Sequence, residues 1–514
     1  MTTASAPTLR VGARAYPVIL PNVRDPRLHL AGVIITIHVL GQTALGFRVS
    51  VPQIVVAILT CAAIEVIWTF HRTRQVVWPA SAMLTGSGVA LILRLVGMER
   101  GDHWSWEGWH VFAAVAGLSL LTKYVIRYRG SHVFNPSNMG LVAAFLVLGS
   151  EVIEPLDFWW APLDFWMGAA YLIILVGGLL ITRRLRLLTM AAAFWLTLVA
   201  GIGVLAVSGH CMTAAWALQP VCGSSFWWVV ASSPEVLIFL FFMITDPKTI
   251  PEGGAARVAF AICLALVCTL LIAPQTTEFG AKVGLLGGLV LLTPLRLVFD
   301  RVVSRDHVGT LVPLPVIAPV RLFARGAILG VAAVVVAVGI VAAGAPARQT
   351  ARAATIDPVT PTVDVDPSLL PSVTVSADAR ALHAEVDPDT LAVSLAEALA
   401  IEADALRRGD TSLLRAADDG ERLLEMERKV EIAATRGELV VPEHTFDTLH
   451  LDVVFHKGPQ GGASLGLGAT GTVDSVIYDA AGFEQSRQSE AFATTFVLSQ
   501  GAGGRWLIVA EDEG

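Results

Sequence analysis

Charged residues are scarce in this chain. Of its 514 residues, 15% are Asp, Glu, Lys or Arg, whereas 54% are hydrophobic. Soluble globular domains carry roughly 25% charged residues, so this composition excludes a soluble protein for most of the chain. The few charges are also divided unevenly, because residues 1–346 are net basic and residues 347–514 are net acidic. We therefore expect two bodies, a large membrane domain and a smaller polar domain.

Cysteine is also rare, with five in the whole chain. That number excludes a disulfide framework, and the spacing fits neither an iron–sulfur cluster nor a zinc site. The sequence also lacks a glycine-rich nucleotide-binding loop. We predict no metal site and no nucleic-acid partner. Cys211 and Cys222 lie in one loop, "GHCMTAAWALQPVCGSS", and form either a disulfide or two free thiols.

Long apolar runs are abundant. A run of roughly 17–25 apolar residues is long enough to cross a bilayer as a helix. The sequence predicts an α-helical polytopic membrane protein with about ten to eleven transmembrane helices. These lie near residues 28–47, 52–70, 77–97, 106–124, 138–153, 164–182, 187–208, 225–244, 257–274, 281–298 and 322–345.

The positions of Lys and Arg predict the orientation of these helices. Basic residues concentrate in alternate loops, and cytoplasmic loops are the ones that retain them. We therefore expect a protein of the bacterial inner (cytoplasmic) membrane with its N-terminus in the cytoplasm and its C-terminal domain outside. The first 27 residues have no apolar core, so they do not predict a cleavable signal peptide.

The composition predicts four segments along the chain. In the last of them, amphipathic helices precede alternating strands, which predicts an α+β domain similar in pattern to the NTF2-like fold. Its His450, Asp452 and His456 have even spacing on one predicted strand and are interpreted as a solvated strand face. The predicted segments are a cytoplasmic N-terminal tail (1–27), a transmembrane domain (28–346), a linker rich in Pro and Thr (347–375) and an extracytoplasmic domain (376–514).

A polar turn at residues 135–138, Asn-Pro-Ser-Asn, precedes the fifth predicted helix. Asn is a good N-cap residue and Pro suits the first helical position, and we expect Ser137 and Asn138 to reach amides of the first turn. A helix N-terminus flanked by cations also favours an anionic or electron-rich ligand. A second polar stretch, "TDPK" at residues 245–248, leaves the eighth helix on the same side. The sequence therefore predicts that the two stretches line one site.

Three stretches carry a resemblance to a known family, namely "HVFNPSN", "FFMITDPKTIP" and "SAMLTGSGVALILRL". Over roughly residues 28–300 the chain resembles RnfD and NqrB, membrane subunits of ion-pumping redox complexes. It is similar in particular to the UnbU proteins, first named from enediyne biosynthesis clusters. The resemblance implies ten helices in a urea-transporter-like arrangement and riboflavin or quinone bound non-covalently near the membrane. It also implies FMN esterified to a threonine.

The resemblance places a flavin site or ion path at the two polar stretches. The residues carried over from it are Phe134, Asn135, Pro136, Ser137, Asn138, Thr245, Asp246 and Pro247. The family's flavin-bearing Ser-Gly-Ala-Thr has no counterpart in residues 28–320, so the expected cofactor is non-covalent riboflavin or FMN. A partial echo, "LGLGATGT" at 465–472, is interpreted as a glycine-rich strand or turn.

Ionisable residues within predicted membrane spans are costly and mark function by default. Glu65, Arg94 and Glu235 are the candidates, either for an ion path or for buried pairs that serve packing.

Three functions from different classes follow. The first is an RnfD-like subunit in electron transfer or redox-coupled ion transport, whose partners in a membrane or extracytoplasmic assembly supply the other redox centres. The second is a transporter or channel for a small solute or natural product, and the third is a membrane scaffold. A bound flavin separates the first from the others.

Overall fold

The structure is a computed structural model in which the chain forms two compact units. The first comprises residues 1–210, 223–275 and 279–345, and the second comprises residues 211–222, 276–278 and 346–514. The structure describes residues 7–11, 14–22, 25–96, 98, 101–150, 152–155, 165–214, 217–302, 319–348, 365–436, 439–455, 463–478, 484–501 and 505–513.

Apolar helices build the first unit. They are α1 (Pro26–Leu40, extended by a π-helical turn, Gly41–Leu45), α2 (Val51–Thr73), α3 (Ala80–Ile92), α4 (Trp109–Val125), α5 (Pro136–Leu148), α6 (Phe165–Arg184), α7 (Leu188–Val207), α8 (Gly223–Ala231), α9 (Pro234–Ile238, extended by a π-helical turn, Phe239–Met243), α10 (Gly254–Ile272), α11 (Glu278–Leu292), α12 (Arg296–Val302) and α13 (Pro319–Ala343).

Seven helical runs in the described residues have the length and composition of membrane spans. They are Pro26–Leu45, Val51–Thr73, Phe165–Arg184, Leu188–Val207, Gly223–Met243, Gly254–Ile272 and Glu278–Val302. Four shorter apolar helices accompany them, namely Ala80–Ile92, Trp109–Val125, Pro136–Leu148 and Gly330–Ala343. The chain is therefore a helical membrane protein, as its composition predicts, with seven runs of full span length.

Short strand pairs connect the helices of this unit. They are β1 (Thr8–Val11), β2 (Arg14–Ile19), β3 (Val76–Val77), β4 (Leu93–Leu95), β5 (Arg127–Tyr128), β6 (Ser131–His132) and β7 (Ile153–Pro155). Strands β1 and β2 form a hairpin, and β2 pairs in parallel with β3. Residues within the segment predicted as a tail are thus hydrogen-bonded to the strand that follows α2.

Two helices depart from their predicted form. Helix α3 ends at Ile92, because the next three residues adopt an extended backbone as β4 and pair antiparallel with β7. The eighth predicted helix is interrupted at Ser232 and Ser233. Pro234 cannot donate a helical hydrogen bond, and α9 starts afresh there with Ser233 as its N-cap.

The second unit combines helices with a five-stranded sheet. Its elements are β8 (Cys211–Ala214), β9 (Ala217–Cys222), β10 (Val373–Val375), α14 (Ala377–Leu382), α15 (Pro388–Arg408), α16 (Gly420–Arg436), β11 (Leu439–Phe455), β12 (Ala463–Tyr478), β13 (Glu484–Gln500) and β14 (Trp506–Glu513). The sheet has the order β10-β11-β12-β13-β14 and is antiparallel apart from the pairing of β10 with β11.

The apolar face of α15 packs on this sheet. Leu391, Leu395 and Leu399 of the helix join Leu449 and Phe496 of the strands in one core. Such burial of large side chains on both layers is what stabilises an α+β domain. Strand β10 begins at Val373, within the range assigned to the linker.

Candidate functional site

The Asn-Pro-Ser-Asn turn starts helix α5 as predicted. Asn135 has an extended backbone, its side-chain oxygen accepts a hydrogen bond from the Asn138 amide at 3.3 Å, and Pro136 is the first helical residue. The prediction for the other two side chains is wrong. Ser137 donates to the Asn135 side chain at 2.9 Å, and the Asn138 amide group turns away from this helical turn.

The two asparagine side chains join α5 to distant parts of the chain. Asn135 donates to the Met243 carbonyl at 3.2 Å, and Asn138 donates to the Leu286 carbonyl at 3.0 Å. Both asparagines are buried, and a buried amide without such partners would be costly. Asn135 therefore fixes the start of α5 against the π-helical turn that precedes the second polar stretch.

Asp246, in the second polar stretch, contacts His132, which lies three residues before Asn135. The His132 Nε2 atom lies 3.0 Å from an Asp246 carboxyl oxygen, and the Lys248 amide donates to the other oxygen at 3.0 Å. Burial works to raise the pKa of Asp246, but the hydrogen bond and charge of His132, with Lys248, outweigh it and leave the pKa below its ordinary value. Asp246 is thus an ionised carboxylate held between the His132 ring and the Lys248 backbone amide.

A cavity of about 520 Å³ lies where these segments meet. It is lined by both ionisable and apolar side chains. The ionisable residues are Asp25, Arg27, Lys123, His132, Asp246 and Lys248, and the apolar ones include Leu30, Ile34, Leu84, Leu91, Ile92, Ile238, Phe241 and Met243. The volume is in the range of small-molecule and cofactor sites.

Most residues carried over from the resemblance line this cavity. They are Asn135, Pro136, Ser137, Thr245, Asp246 and Pro247. Phe134 and Asn138 are not among the lining residues, since Asn138 is turned toward Leu286. The Thr245 hydroxyl donates to the Phe241 carbonyl at 2.5 Å. The hydrogen bond from Asn135 to Met243 joins residues that are 108 positions apart in the sequence. The two polar stretches therefore line one cavity.

Each ionisable residue proposed within a span forms an ion pair. Glu65 accepts from the Lys123 ammonium at 3.0 Å, and Glu235 lies 2.9 Å from the Lys282 ammonium. Arg94 pairs with Glu154. The sequence left open whether these residues form an ion path or buried pairs; the observed contacts are pairs, and two of them border cavities.

A second, smaller cavity of about 30 Å³ is lined by Glu235 and Lys282. Four apolar residues line both this cavity and the larger one, namely Leu91, Ile92, Ile238 and Met243. These four side chains therefore form an apolar wall that the two cavities share.

Several residues of the cavity were not predicted from sequence. Asp25 binds Arg27 with both carboxyl oxygens, and this pair lines the cavity at the start of α1. Ser81, at the start of α3, accepts from Lys123 at 3.2 Å. The N-cap role of Asp25 before Pro26 was a usable signal for a helix start, but nothing in the sequence indicates how close Asp25 lies to the other polar stretches.

In the second unit, Cys211 and Cys222 form a disulfide that closes the hairpin of β8 and β9. On the sheet, His450 is exposed and bonded to Thr374, while Asp452 accepts from Ser376 at 2.6 Å. These contacts stabilise the solvated strand face. His456 lies outside the described residues.

A buried charged cluster lies under the sheet of the second unit. Arg422 donates to both carboxyl oxygens of Glu402, at 2.8 and 2.9 Å, and also pairs with Glu511. Asp418 adjoins this cluster and is 1% exposed. Burial raises the pKa of Asp418 to about 10, the adjacent Glu402 adds to the effect, and Arg422 opposes it. Asp418 therefore carries a proton at neutral pH.

Comparison with protein-family models and with curated proteins finds no match to this chain. Its family therefore remains a prediction from the residues that carry the resemblance, and the geometry of the cavity carries the functional argument.

Proposed function

We propose that this chain is an integral membrane subunit, similar to RnfD and NqrB, that binds a flavin or quinone non-covalently in the large cavity and takes part in electron transfer or redox-coupled ion transport. The observation that carries the proposal is the cavity of about 520 Å³ that the two polar stretches line together. Its apolar lining residues suit a flat ring system, and its ionisable side chains suit the polar edge or substituent of such a ligand.

The residues of the cavity fit such a group. Asn135 holds the start of α5 at the cavity wall, and Asp246, paired with His132, presents a partly buried charge to the cavity. Lys123, held by Glu65 and Ser81, supplies a positioned ammonium group. A bound flavin or quinone would supply the electron-accepting chemistry, while the protein positions it and excludes water around it.

The remaining features of the proposal come from the likeness, from the apolar runs and the distribution of Lys and Arg, and from the pattern of helices and strands in residues 376–514. The helices take a urea-transporter-like arrangement of ten to eleven spans in a bacterial inner membrane, with the N-terminus cytoplasmic. The second unit is an extracytoplasmic NTF2-like domain, and membrane or extracytoplasmic proteins of an electron-transport or biosynthetic assembly are the partners. Covalent FMN has no role in this proposal.

Equilibrium binding tests the proposal. We expect the full-length protein in detergent to bind riboflavin or a short-chain ubiquinone, and Asp246→Asn to weaken that binding about tenfold, because the variant removes a charge that lines the cavity. Asp102→Asn is the matched control, since Asp102 is an exposed aspartate that does not line the cavity.

Two results would count against the proposal. One is a folded wild-type protein that binds neither ligand. The other is an equal loss of affinity in both aspartate variants, which would show that the cavity is not the binding site. Thermal unfolding of each variant checks that the fold is retained.

One observation favours a second candidate, a carrier or channel for a small solute or natural product. The large cavity and the cavity lined by the buried pair of Glu235 and Lys282 share an apolar wall. A side-chain rearrangement at that wall would join the two cavities. Solute flux into proteoliposomes without a redox reaction, abolished by Met243→Trp, would support this candidate. A protein that shows neither solute flux nor a bound redox group would instead support the membrane scaffold.

A further inference from the structure

A surface rich in arginine and aromatic residues lies at the ends of α2 and α4, and we call it the basic surface. Its exposed cations are Arg72, Arg74, Arg127 and Arg129, and its aromatic residues are Trp68, Phe70, Tyr124 and Tyr128. Helices α2 and α4 pack side by side, so their last turns and the β5–β6 hairpin bring these residues together.

Stacked aromatic rings form the centre of the basic surface. The rings of Trp68 and Tyr124 lie 4.9 Å apart, centroid to centroid, and are stacked. The Arg72 guanidinium lies 4.9 Å from the Trp68 ring, and the Arg129 guanidinium lies 5.4 Å from the Tyr128 ring. Such cation–π contacts orient the arginines and leave their N–H groups available to an anion.

The carboxylates nearest the basic surface are already paired, Glu65 with Lys123 and Asp246 with His132. The sequence contains no Asp or Glu from residue 66 to 98 or from 108 to 150. Within the described part of the chain, Glu65 is the nearest acidic residue on α2, and it is paired with Lys123 at 3.0 Å. No ion pair with a described residue involves the four arginines, so the surface attracts anions.

Exposed apolar side chains adjoin these cations. Ile67 and Val125 are 59% and 78% exposed, and Leu121 is exposed one turn before Val125. An acidic soluble protein would leave such side chains against water. An amphipathic anion covers both parts, with its charge at the arginines and its chains along the apolar residues.

We propose that the basic surface binds the headgroup of an anionic phospholipid such as phosphatidylglycerol, with the acyl chains along Ile67, Leu121 and Val125. The phosphate accepts hydrogen bonds from Arg72, which lies on the ring stack, and from Arg127, whose guanidinium also donates to the Gly130 carbonyl. The lipid then bridges the ends of α2 and α4 and stabilises the unit at that end.

Native mass spectrometry of the delipidated full-length protein tests this proposal. We expect bound phosphatidylglycerol in preference to phosphatidylcholine, and we expect Arg72→Gln with Arg127→Gln to weaken phosphatidylglycerol binding about twenty-fivefold, since each arginine near a membrane surface favours an anionic lipid about fivefold. Arg183→Gln with Arg186→Gln is the matched control, because it removes two exposed arginines outside the basic surface.

A second variant tests the proposal in case the double arginine variant does not fold. Trp68→Leu keeps all the arginines and removes the ring on which Arg72 lies, and we expect about a threefold loss of phosphatidylglycerol affinity. Equal binding of the two lipids by the wild type, or equal losses in the Arg72/Arg127 and Arg183/Arg186 variants, would overturn the proposal. Capture of an acidic protein partner in place of lipid, sensitive to the same arginines, would also overturn it.

Discussion

At the scale of single residues, burial of charge is the feature that most constrains the membrane unit. The sequence identified Glu65, Arg94 and Glu235 as costly, and the structure supplies their partners, Lys123, Glu154 and Lys282. These partners lie on other segments, at sequence separations that no periodicity encodes. Residue type therefore predicted where charge needs compensation, while only the fold identified what compensates it.

The pair of Glu65 and Lys123 makes a direct prediction for stability. Lys123→Met leaves a partly buried carboxylate without its partner, so we expect a loss of about 1–3 kcal/mol in unfolding free energy. Glu65→Gln in the same chain should restore part of that loss, as measured by a double-mutant cycle of chemical unfolding in detergent. Arg183→Met, at an exposed arginine of α6, is the control and should change stability little. Strict additivity of the two substitutions would contradict this account.

Asp418 makes a prediction about pH in the second unit. Its pKa of about 10 in the folded protein lies above the ordinary value of 3.8, so the folded state holds a proton that the unfolded state releases. Stability should therefore fall as pH rises from about 5 to about 9, by up to about 1.4 kcal/mol per pH unit for this one group.

The experiment compares the wild type with Asp418→Asn, which mimics the neutral carboxyl. Pulse proteolysis of the full-length protein, with cleavage within residues 365–513 assigned by mass spectrometry, measures stability at each pH. We expect Asp418→Asn to reduce the pH dependence and to stabilise the unit at pH 8. Asp389→Asn, at an exposed aspartate, should retain the wild-type slope, and an unchanged slope in Asp418→Asn would refute the assignment.

At the scale of elements, apolar runs predicted where helices lie, and local hydrogen bonding determined where they end. The fifth helix was expected near 138–153 and spans Pro136–Leu148, because Asn135 caps it and Gly149 has a positive φ of 72° that ends it. The third helix gives way to β4 at Leu93, since β7 offers backbone partners there. That pairing depends on a distant segment, so hydropathy gave no sign of it.

Glycine permits the close packing of α3 on α2. A Cβ atom at Gly86 would lie 2.4 Å from the Ala57 carbonyl oxygen, a backbone atom that cannot rotate away. We therefore expect Gly86→Ala to destabilise the protein by about 1–3 kcal/mol or more, measured by thermal unfolding in detergent. Gly168→Ala in α6 is the matched control, because no heavy atom lies within 4 Å of its added Cβ. Equal unfolding temperatures would show that the helices are less closely packed.

At the scale of the whole molecule, the division into a membrane unit and a second unit follows the uneven distribution of charge along the sequence. The sequence also placed the two polar stretches at one site, and the structure gives them a common cavity. Its remaining walls come from α1, α3 and α6, as at Leu30, Leu84 and Ile181, whose side chains read in sequence as ordinary membrane helix residues. Nothing in an apolar side chain distinguishes a cavity wall from a packed core before the helices are assembled.

Absorbance and fluorescence spectra of the detergent-purified full-length protein, recorded before and after acid precipitation, decide whether the protein holds a non-covalent redox group. We expect a flavin spectrum whose chromophore enters the acid supernatant, at about one flavin per chain. If the bound group is a quinone, we expect solvent extraction to recover about one quinone per chain. A folded protein that yields neither, or a flavin that stays with the acid precipitate as a covalent adduct, would contradict the proposed function.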